Sequence, residues 1–270
     1  MAVLAHPDDE SLGVGGTLAK YAAEGADVFL LTATRGEKGR YRGRRREDPE
    51  HPGPEALARI REQELRAAAS VLGVKDVSLL GYEDQQVDHV DPRRAIADIA
   101  AHIRRVRPDV VLTFGPDGAY GHPDHIAISQ FTTAAVIGAA DATFEHEGVA
   151  RELRPHPVSK LYYIAWPEST WAAYQAAVGT LRSTVDGLDR QATPWPDWAI
   201  TTVIDTREYW STAWRAVACH DSQVTAYKRL NELPPEHHQM LWSRQSFYRA
   251  FSTVNGGRAR ETDLYEGICR

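Results

Sequence analysis

The chain has 270 residues, a formal net charge of −6 and 43% hydrophobic residues. This length suits one large domain with a full apolar core, and the acidic balance argues against a nucleic acid or a membrane surface as the main partner. No apolar run approaches the ~20 residues that span a bilayer, and the first residues lack the apolar region of a secretory signal, so a cytoplasmic location is predicted.

The predicted elements alternate between strands and helices through residue 140. In chain order they are a strand at 2–5, a helix at 12–24, a strand at 28–31, a helix at 55–72, a strand at 77–80, a helix at 92–106, a strand at 109–114 and a helix at 123–140. Such alternation predicts a parallel sheet with helices on both faces. The pattern is looser afterwards, with strands predicted at 161–164 and 201–204 and a helix from 207 to about 220.

We therefore predict an α/β, Rossmann-like fold with a mostly parallel sheet and a smaller C-terminal lobe. Residues 1–140 are expected to form the catalytic core. Residues 141–270 are expected to complete the sheet and the substrate pocket, so that the chain is a single structural unit.

Two His-Pro-Asp elements lie at the ends of predicted strands. His6-Pro7-Asp8-Asp9-Glu10 follows the apolar run at 2–5, and Gly121-His122-Pro123-Asp124-His125 follows the strand at 109–114. Ligands bind at such strand ends in open α/β sheets. Zinc in a hydrolytic site usually takes three ligands from His and Asp or Glu and leaves a position for water. The two clusters therefore predict a metal-dependent hydrolase.

The pairing of these motifs resembles the PIG-L/LmbE-like family of zinc-dependent N-acetylglucosaminyl deacetylases, which includes the mycothiol- and bacillithiol-pathway enzymes. Further stretches stand in the family's order: Arg35-Gly36-Glu37, Arg61 with Glu64-Leu65, Gly81-Tyr82-Glu83-Asp84, His220-Asp221-Ser222-Gln223 and the run from Glu261 to Gly267. A lone His-Pro-Asp-Asp is a weak signal, but the ordered set is specific. The resemblance implies removal of acetate from an N-acetylglucosamine unit of a small glycoconjugate.

The resemblance also implies that zinc is held by His6, Asp9 and His125 and that Asp8 is the general base. A zinc ion lowers the pKa of its bound water toward ~7, and a positioned carboxylate can then take a proton from that water. Two imidazoles and a carboxylate also suit iron, so both Zn²⁺ and Fe²⁺ fit the predicted ligand set.

Three more residues near the second motif are implied to act in catalysis. His122 would stabilise the oxyanion or protonate the leaving amine, with Asp124 orienting it, and Tyr120 matches a tyrosine that contacts the reacting carbonyl. The second-tier candidates, for binding the amino-sugar substrate, are Glu37, Arg61, Asp84 and His220.

Each of several residues has an alternative structural interpretation. Arg61 falls in a helix rich in Arg and Glu, where an exposed ion pair is an alternative to substrate binding. Glu10 is either a second-sphere partner of the site or a favourable acid in a first helical turn. His220 either lines the pocket or caps the end of a helix.

Other features point to no specific chemistry. Cys219 and Cys269 show no metal-type spacing, and the arginines at 42–46 are expected to form a solvated loop. The tryptophans at 166, 171, 195 and 198 could line an aglycone pocket or belong to the core.

The sequence leaves the substrate open. The enzymatic alternative is an amidase of the same family that acts on a mycothiol S-conjugate or a glycosylated natural product. A non-catalytic sugar-binding protein is the alternative from another class, and a homo-oligomer is as compatible with the sequence as a monomer.

Overall fold

The computed structural model describes residues 1–144, 153–171, 175, 182–185, 187–224, 228–257 and 259–269. The strands are β1 (Ala2–Leu4), β2 (Phe29–Thr34), β3 (Asp76–Tyr82), β4 (Val110–Phe114), β5 (Lys160–Ile164), β6 (Arg182–Val185), β7 (Leu188–Gln191), β8 (Thr202–Asp205) and β9 (Arg244–Ser252). The helices are α1 (Asp9–Ala23), α2 (Pro54–Leu72), α3 (Pro92–Val106), α4 (Gly118–Gly121), α5 (Pro123–Ala140), α6 (Trp210–Cys219), α7 (Asp221–Val224), α8 (Lys228–Asn231) and α9 (Pro235–Trp242).

Seven strands form one sheet in the order β3-β2-β1-β4-β5-β9-β8. The first five strands run parallel, whereas β9 is antiparallel to both β5 and β8. The strands β6 and β7 pair only with each other, as a separate hairpin. The prediction of an α/β fold with a mostly parallel sheet is confirmed, and three strands of that sheet come from residues 141–270.

The centre of the sheet is apolar because helices cover it on both sides. All three residues of β1 and all five of β4 are buried, as expected for strands buried on both faces. The helices α1, α2 and α6 pack against one another, and α3 packs against α5. Right-handed crossovers that lead to opposite edges of a parallel sheet place their helices on opposite faces.

The strand order also fixes where a ligand can bind. The chain leaves β1 toward β2 on one side, whereas β4 lies on its other side. Such a reversal opens a crevice beyond the carboxyl ends of the two strands. His6 follows β1 and the segment 115–122 follows β4, so both His-Pro-Asp motifs reach this crevice.

Most predicted elements are present, with shifted ends. The first helix begins at Asp9 rather than at residue 12, which places Asp9 and Glu10 in its first turn. The sequence analysis missed the β6–β7 hairpin, the helix α9 and the long strand β9. No helix in the described part of the chain is long and apolar enough to cross a membrane.

Candidate metal and catalytic site

Asp9 closes the turn between β1 and α1. Its Oδ2 accepts hydrogen bonds from the backbone N–H groups of His6 at 2.7 Å and Ala5 at 3.2 Å. Its Oδ1 lies 3.5 Å from Nε2 of His125. One oxygen of Asp9 therefore holds the strand end in place while the other faces the second motif.

The three predicted metal ligands converge on one point. His6 Nδ1 lies 3.0 Å from His125 Nε2 and 3.7 Å from Asp9 Oδ2, and all three residues are at most 8% exposed. Bonds of about 2.0–2.1 Å in a tetrahedral zinc site place neighbouring ligand atoms about 3.3 Å apart. The spacing and chemistry of these donors fit a metal ion. His6 also forms two further groups of possible metal ligands, one with His122 and His125 and one with Asp84 and Asp124.

The second nitrogen of His6 is held by two carboxylates. Its Nε2 lies 3.0 Å from Oδ2 of Asp124 and 3.2 Å from Oδ1 of Asp84. Asp124 is itself fixed by the N–H groups of Gln85 and Val87. A carboxylate behind a histidine orients the ring and raises its basicity as a ligand, so Nδ1 of His6 is the nitrogen left for a metal.

This arrangement changes the role expected for Asp124. Its carboxylate bonds His6 rather than His122, and its contact with His122 is a hydrogen bond from the Asp124 backbone N–H to His122 Nδ1 at 3.1 Å. The backbone makes this bond because His122 is the N-cap of α5, with Pro123 in the first turn. A neutral His122 that accepts at Nδ1 carries its proton on Nε2.

The charges of the site favour a cation. Burial acts to lower the pKa of His6, but hydrogen bonds to Asp124 and Asp84 hold it well above its ordinary value. Burial raises the pKa of Asp9 to about 7, and burial together with the His6 charge lowers the pKa of His125 well below its usual range. The raised pKa values of His6 and Asp9 mean that these two residues bind protons readily, and a metal ion would compete with those protons.

Asp8 lies beside this group and meets a guanidinium. Nη2 of Arg61 donates to Oδ2 of Asp8 at 3.1 Å and also to the carbonyl of Pro7. Arg61 is 4% exposed, so the alternative of an exposed surface ion pair does not apply. The Asp8 carboxylate is thereby placed at the edge of the donor group.

Two hydrogen-bond donors lie next to the predicted ligands. The His122 ring centroid is 4.8 Å from that of His6 and 4.9 Å from that of His125, and Tyr120 lies 5.2 Å from His125. Burial and the carboxylates of Asp9 and Asp8 raise the pKa of Tyr120 far above its ordinary value. The Tyr120 hydroxyl therefore stays protonated and can donate a hydrogen bond.

The residues expected to hold sugar hydroxyls form a hydrogen-bonded network beside the site, in which Arg61 and Asp84 are buried. Oε1 of Glu37 accepts a hydrogen bond from the backbone N–H of Asp84 at 2.8 Å, and Oδ2 of Asp84 accepts one from the N–H of Lys38 at 2.9 Å. Arg61 donates to the carbonyl of Gly36 at 2.9 Å. Glu37, Arg61 and Asp84 are thus brought together beside His6 and Asp8.

His220 is the C-cap residue of α6, which was the alternative to a place in the pocket lining. Its side chain is 1% exposed, and its Nε2 lies 2.7 Å from Oε1 of Glu10. The segment 220–223 also contacts α2 and the 36–53 loop, because Ser222 donates to Glu64 and Gln223 donates to the carbonyl of Arg40. The partners of this segment cannot be predicted from local sequence because they are more than 150 residues away.

The aromatic residues of the second half divide between core and surface. Trp171 is 7% exposed and stacks on Trp166, whereas Trp198 is 85% exposed. Trp195 donates to Asp117 at 3.3 Å and so packs against the loop that carries Tyr120. Among the tryptophans of the described residues, Trp195 thus contacts the loop that carries Tyr120.

Buried His and Asp donors beside a further carboxylate, at the switch point of an α/β sheet, are typical of metal-dependent hydrolases. The chain belongs to the PIG-L family: residues 1–136 match the family model described as GlcNAc-PI de-N-acetylase. The predicted family resemblance is confirmed.

Curated relatives and solved structures agree with this assignment. The chain is 38% identical to a 1D-myo-inositol 2-acetamido-2-deoxy-alpha-D-glucopyranoside deacetylase of Kineococcus radiotolerans, over 98% of this chain and 82% of the relative. It is similar in fold to N,N'-diacetylchitobiose deacetylase from Pyrococcus horikoshii, with a TM-score of 0.64, 20% identity and coverage of 92% and 83% of the two chains. The 4-carboxy-2-hydroxymuconate hydratase GalB from Pseudomonas putida KT2440 shares the fold at a TM-score of 0.67, with 18% identity and coverage of 96% and 98%. Because a hydratase has this fold too, the reaction must be argued from the site.

Proposed function

We propose that this protein is a metal-dependent deacetylase that hydrolyses the N-acetyl group of an N-acetylglucosamine unit in a small glycoconjugate. The observation that carries the proposal is the placement of the Asp8 carboxylate beside the convergent donors of His6, Asp9 and His125. The names of the curated relatives support an amino-sugar substrate of this kind.

His6, Asp9 and His125 would hold the metal ion. Zinc is the proposed ion, because two imidazoles and a carboxylate with a position left for water are its usual hydrolytic ligand set. When bound, it would supply Lewis acidity toward the amide carbonyl and a water that is easily deprotonated. Asp124 and Asp84 would keep the His6 ring in place through its Nε2.

Asp8 would act as the general base. Its carboxylate accepts a proton from the attacking water and can return that proton to the leaving nitrogen. The Arg61 guanidinium, 3.1 Å away, fixes the direction of the carboxylate. Burial of Asp8 keeps competing bulk water from this proton transfer.

Tyr120 and His122 would stabilise the oxygen of the amide carbonyl as it becomes negative. The Tyr120 hydroxyl is held protonated by its surroundings, and a neutral His122 presents its Nε2–H because Nδ1 is occupied by the Asp124 backbone N–H. Loss of one such donor typically slows a reaction by about 10²–10³-fold.

Glu37, Arg61 and Asp84 would bind the sugar. Their side chains lie on the side where β2 and β3 end, and the carboxylates still have lone pairs for hydroxyl groups. Residues 141–270 would contribute the opposite wall, including the hairpin residue Arg190, which donates to the carbonyl of Gly121 at 2.8 Å.

The experiment is a measurement of acetate release from 1D-myo-inositol 2-acetamido-2-deoxy-α-D-glucopyranoside. Acetate should appear with the zinc-loaded protein, disappear after chelation and return when zinc is added back. A parallel series with N,N'-diacetylchitobiose and an N-acylated thiol conjugate identifies the accepted aglycone. Failure to release acetate from any N-acetylated amino sugar would refute the proposal.

A further inference from the structure

Glu10 and His220 form a buried pair behind Asp8. His220 Nε2 lies 2.7 Å from Oε1 of Glu10, and the two residues are 1% and 0% exposed. The other carboxylate oxygen of Glu10 accepts a hydrogen bond from the backbone N–H of Asp8 at 3.0 Å. A continuous chain of contacts therefore runs from His220 through Glu10 to the backbone of Asp8.

Asp8 needs such support because its backbone conformation is unfavourable. Its φ is +116° and its ψ is −24°, in the left-handed region that residues other than glycine seldom adopt. Conformations of this kind persist only where the surrounding structure enforces them. Here Glu10 holds the N–H of Asp8 while Arg61 holds its carboxylate.

Glu10 does more than stabilise the first turn of α1 as an acidic residue. An acidic residue in the first turn stabilises a helix through the dipole and can do so from the surface. Glu10 is instead fully buried, and its partner comes from a segment 210 residues later in the chain. Ser222 and Gln223 anchor that segment on α2 and on the carbonyl of Arg40, so the position of His220 is itself fixed.

We infer that Glu10 and His220 are positioning residues for the general base. They set the backbone of Asp8 so that its carboxylate meets the attacking water, and they do so without contact to substrate. This role rests on the proposed function, in which Asp8 is the base.

Two substitutions at one position test the inference. His220→Leu keeps the volume but removes the N–H donor, and we expect kcat to fall by about 10- to 100-fold while KM and the zinc content stay unchanged. His220→Gln can still donate to Glu10 and should recover most of kcat. A lost packing contact would not be rescued by the polar residue in this way.

Gln245→Leu is the matched control. Gln245 also comes from the last part of the chain and ties it to α1, because its Oε1 accepts from the N–H of Thr17 at 2.6 Å and from the hydroxyl at 2.5 Å. This tie lies about two turns along α1 from Asp8. Gln245→Leu should lower the melting temperature and leave kcat unchanged.

The outcomes separate the two proposals. A folded His220→Leu protein with wild-type kcat, or a loss that His220→Gln does not rescue, would overturn the positioning role. A wild-type protein that releases no acetate would refute the proposed function itself. If His220→Leu does not fold, Glu10→Met replaces it: a thioether is only a weak acceptor for Asp8 and His220, so kcat should fall at constant KM, and an unchanged kcat would overturn the inference.

Discussion

Two buried polar clusters in this molecule differ in how their charges are balanced. At the edge of the sheet opposite β3, Glu261 is 1% exposed and its two oxygens accept four hydrogen bonds of 2.7 Å each. The donors are Lys160, Tyr162, Thr202 and Asn255, and Arg249 forms an ion pair with Glu261 at 2.7 Å. At the end of β1, by contrast, four carboxylates, those of Asp8, Asp9, Asp84 and Asp124, lie among three imidazoles and one guanidinium.

The difference distinguishes a structural cluster from a binding site. A buried carboxylate with all its lone pairs used and cations beside it has nothing left for a ligand, and it stabilises the fold because it is fully paired. The group around His6 has more negative than positive side chains, and its nitrogens face one another. The negative charge of such a group is balanced only by a bound cation or by protons.

Removing a metal ligand should have the largest effect. His125→Ala should lose both the bound metal and activity, by more than the roughly 10–100-fold that second-sphere changes already cost. Zinc content and acetate release measure the two losses together. His156→Ala is the matched control, because His156 is also buried but bonds the carbonyl of Pro108, and it should keep both properties.

Asp8→Asn should reduce turnover without loss of metal binding. The amide keeps the size of the side chain but cannot accept a proton, so turnover should fall by about 10²–10⁴-fold while zinc stays bound. Steady-state kinetics and metal analysis on the same sample check this. Asp263→Asn, at a carboxylate that bonds Tyr21, should leave turnover unchanged. Joint loss of zinc and turnover in Asp8→Asn would show that Asp8 is a ligand.

Glu261→Gln should damage stability and spare chemistry. The change leaves the buried ammonium of Lys160 without its counterion, and such a loss costs about 3–5 kcal/mol in the free energy of unfolding. Denaturant unfolding measures this, and kcat per folded molecule should match the wild type. A large loss of kcat in the folded fraction would contradict the separation of the two clusters.

At acidic pH the wild type and Glu261→Gln should have the same free energy of unfolding. Burial acts to raise the pKa of Glu261, but hydrogen bonds from Lys160, Asn255 and Thr202 lower it from 4.5 to about 2. Because the folded pKa lies below the unfolded one, this stabilisation is present above pH 4.5 and is lost as the pH falls toward about 2. The loss is on the order of 3 kcal/mol. A stability gap that stays constant over this range would be contrary evidence.

The first half of the chain was the more predictable one, for a physical reason. Periodicity and strand-end motifs are local, so the βα units and the meeting of His6 with His125 could be predicted. The partner of Glu10 could not be predicted, because nothing near Glu10 in sequence indicates a contact with His220. The strand β9 was missed as well: Arg244–Ser252 mixes buried, half-buried and exposed positions, and pairing with β5 and β8 makes it a strand.

The place of β9 inside the sheet has a consequence for synthesis of the chain. It lies between β5 and β8, although it is the last strand to leave the ribosome. Until then the edge of β5 has no partner on that side, and an unpaired strand edge promotes aggregation.

We therefore expect a chain that stops at residue 243 to aggregate even though it contains His6, Asp9 and His125. A truncated chain that stayed monomeric and bound zinc in light-scattering and metal assays would contradict this. The nascent chain therefore contains all its proposed catalytic residues before it can cover the edge of β5.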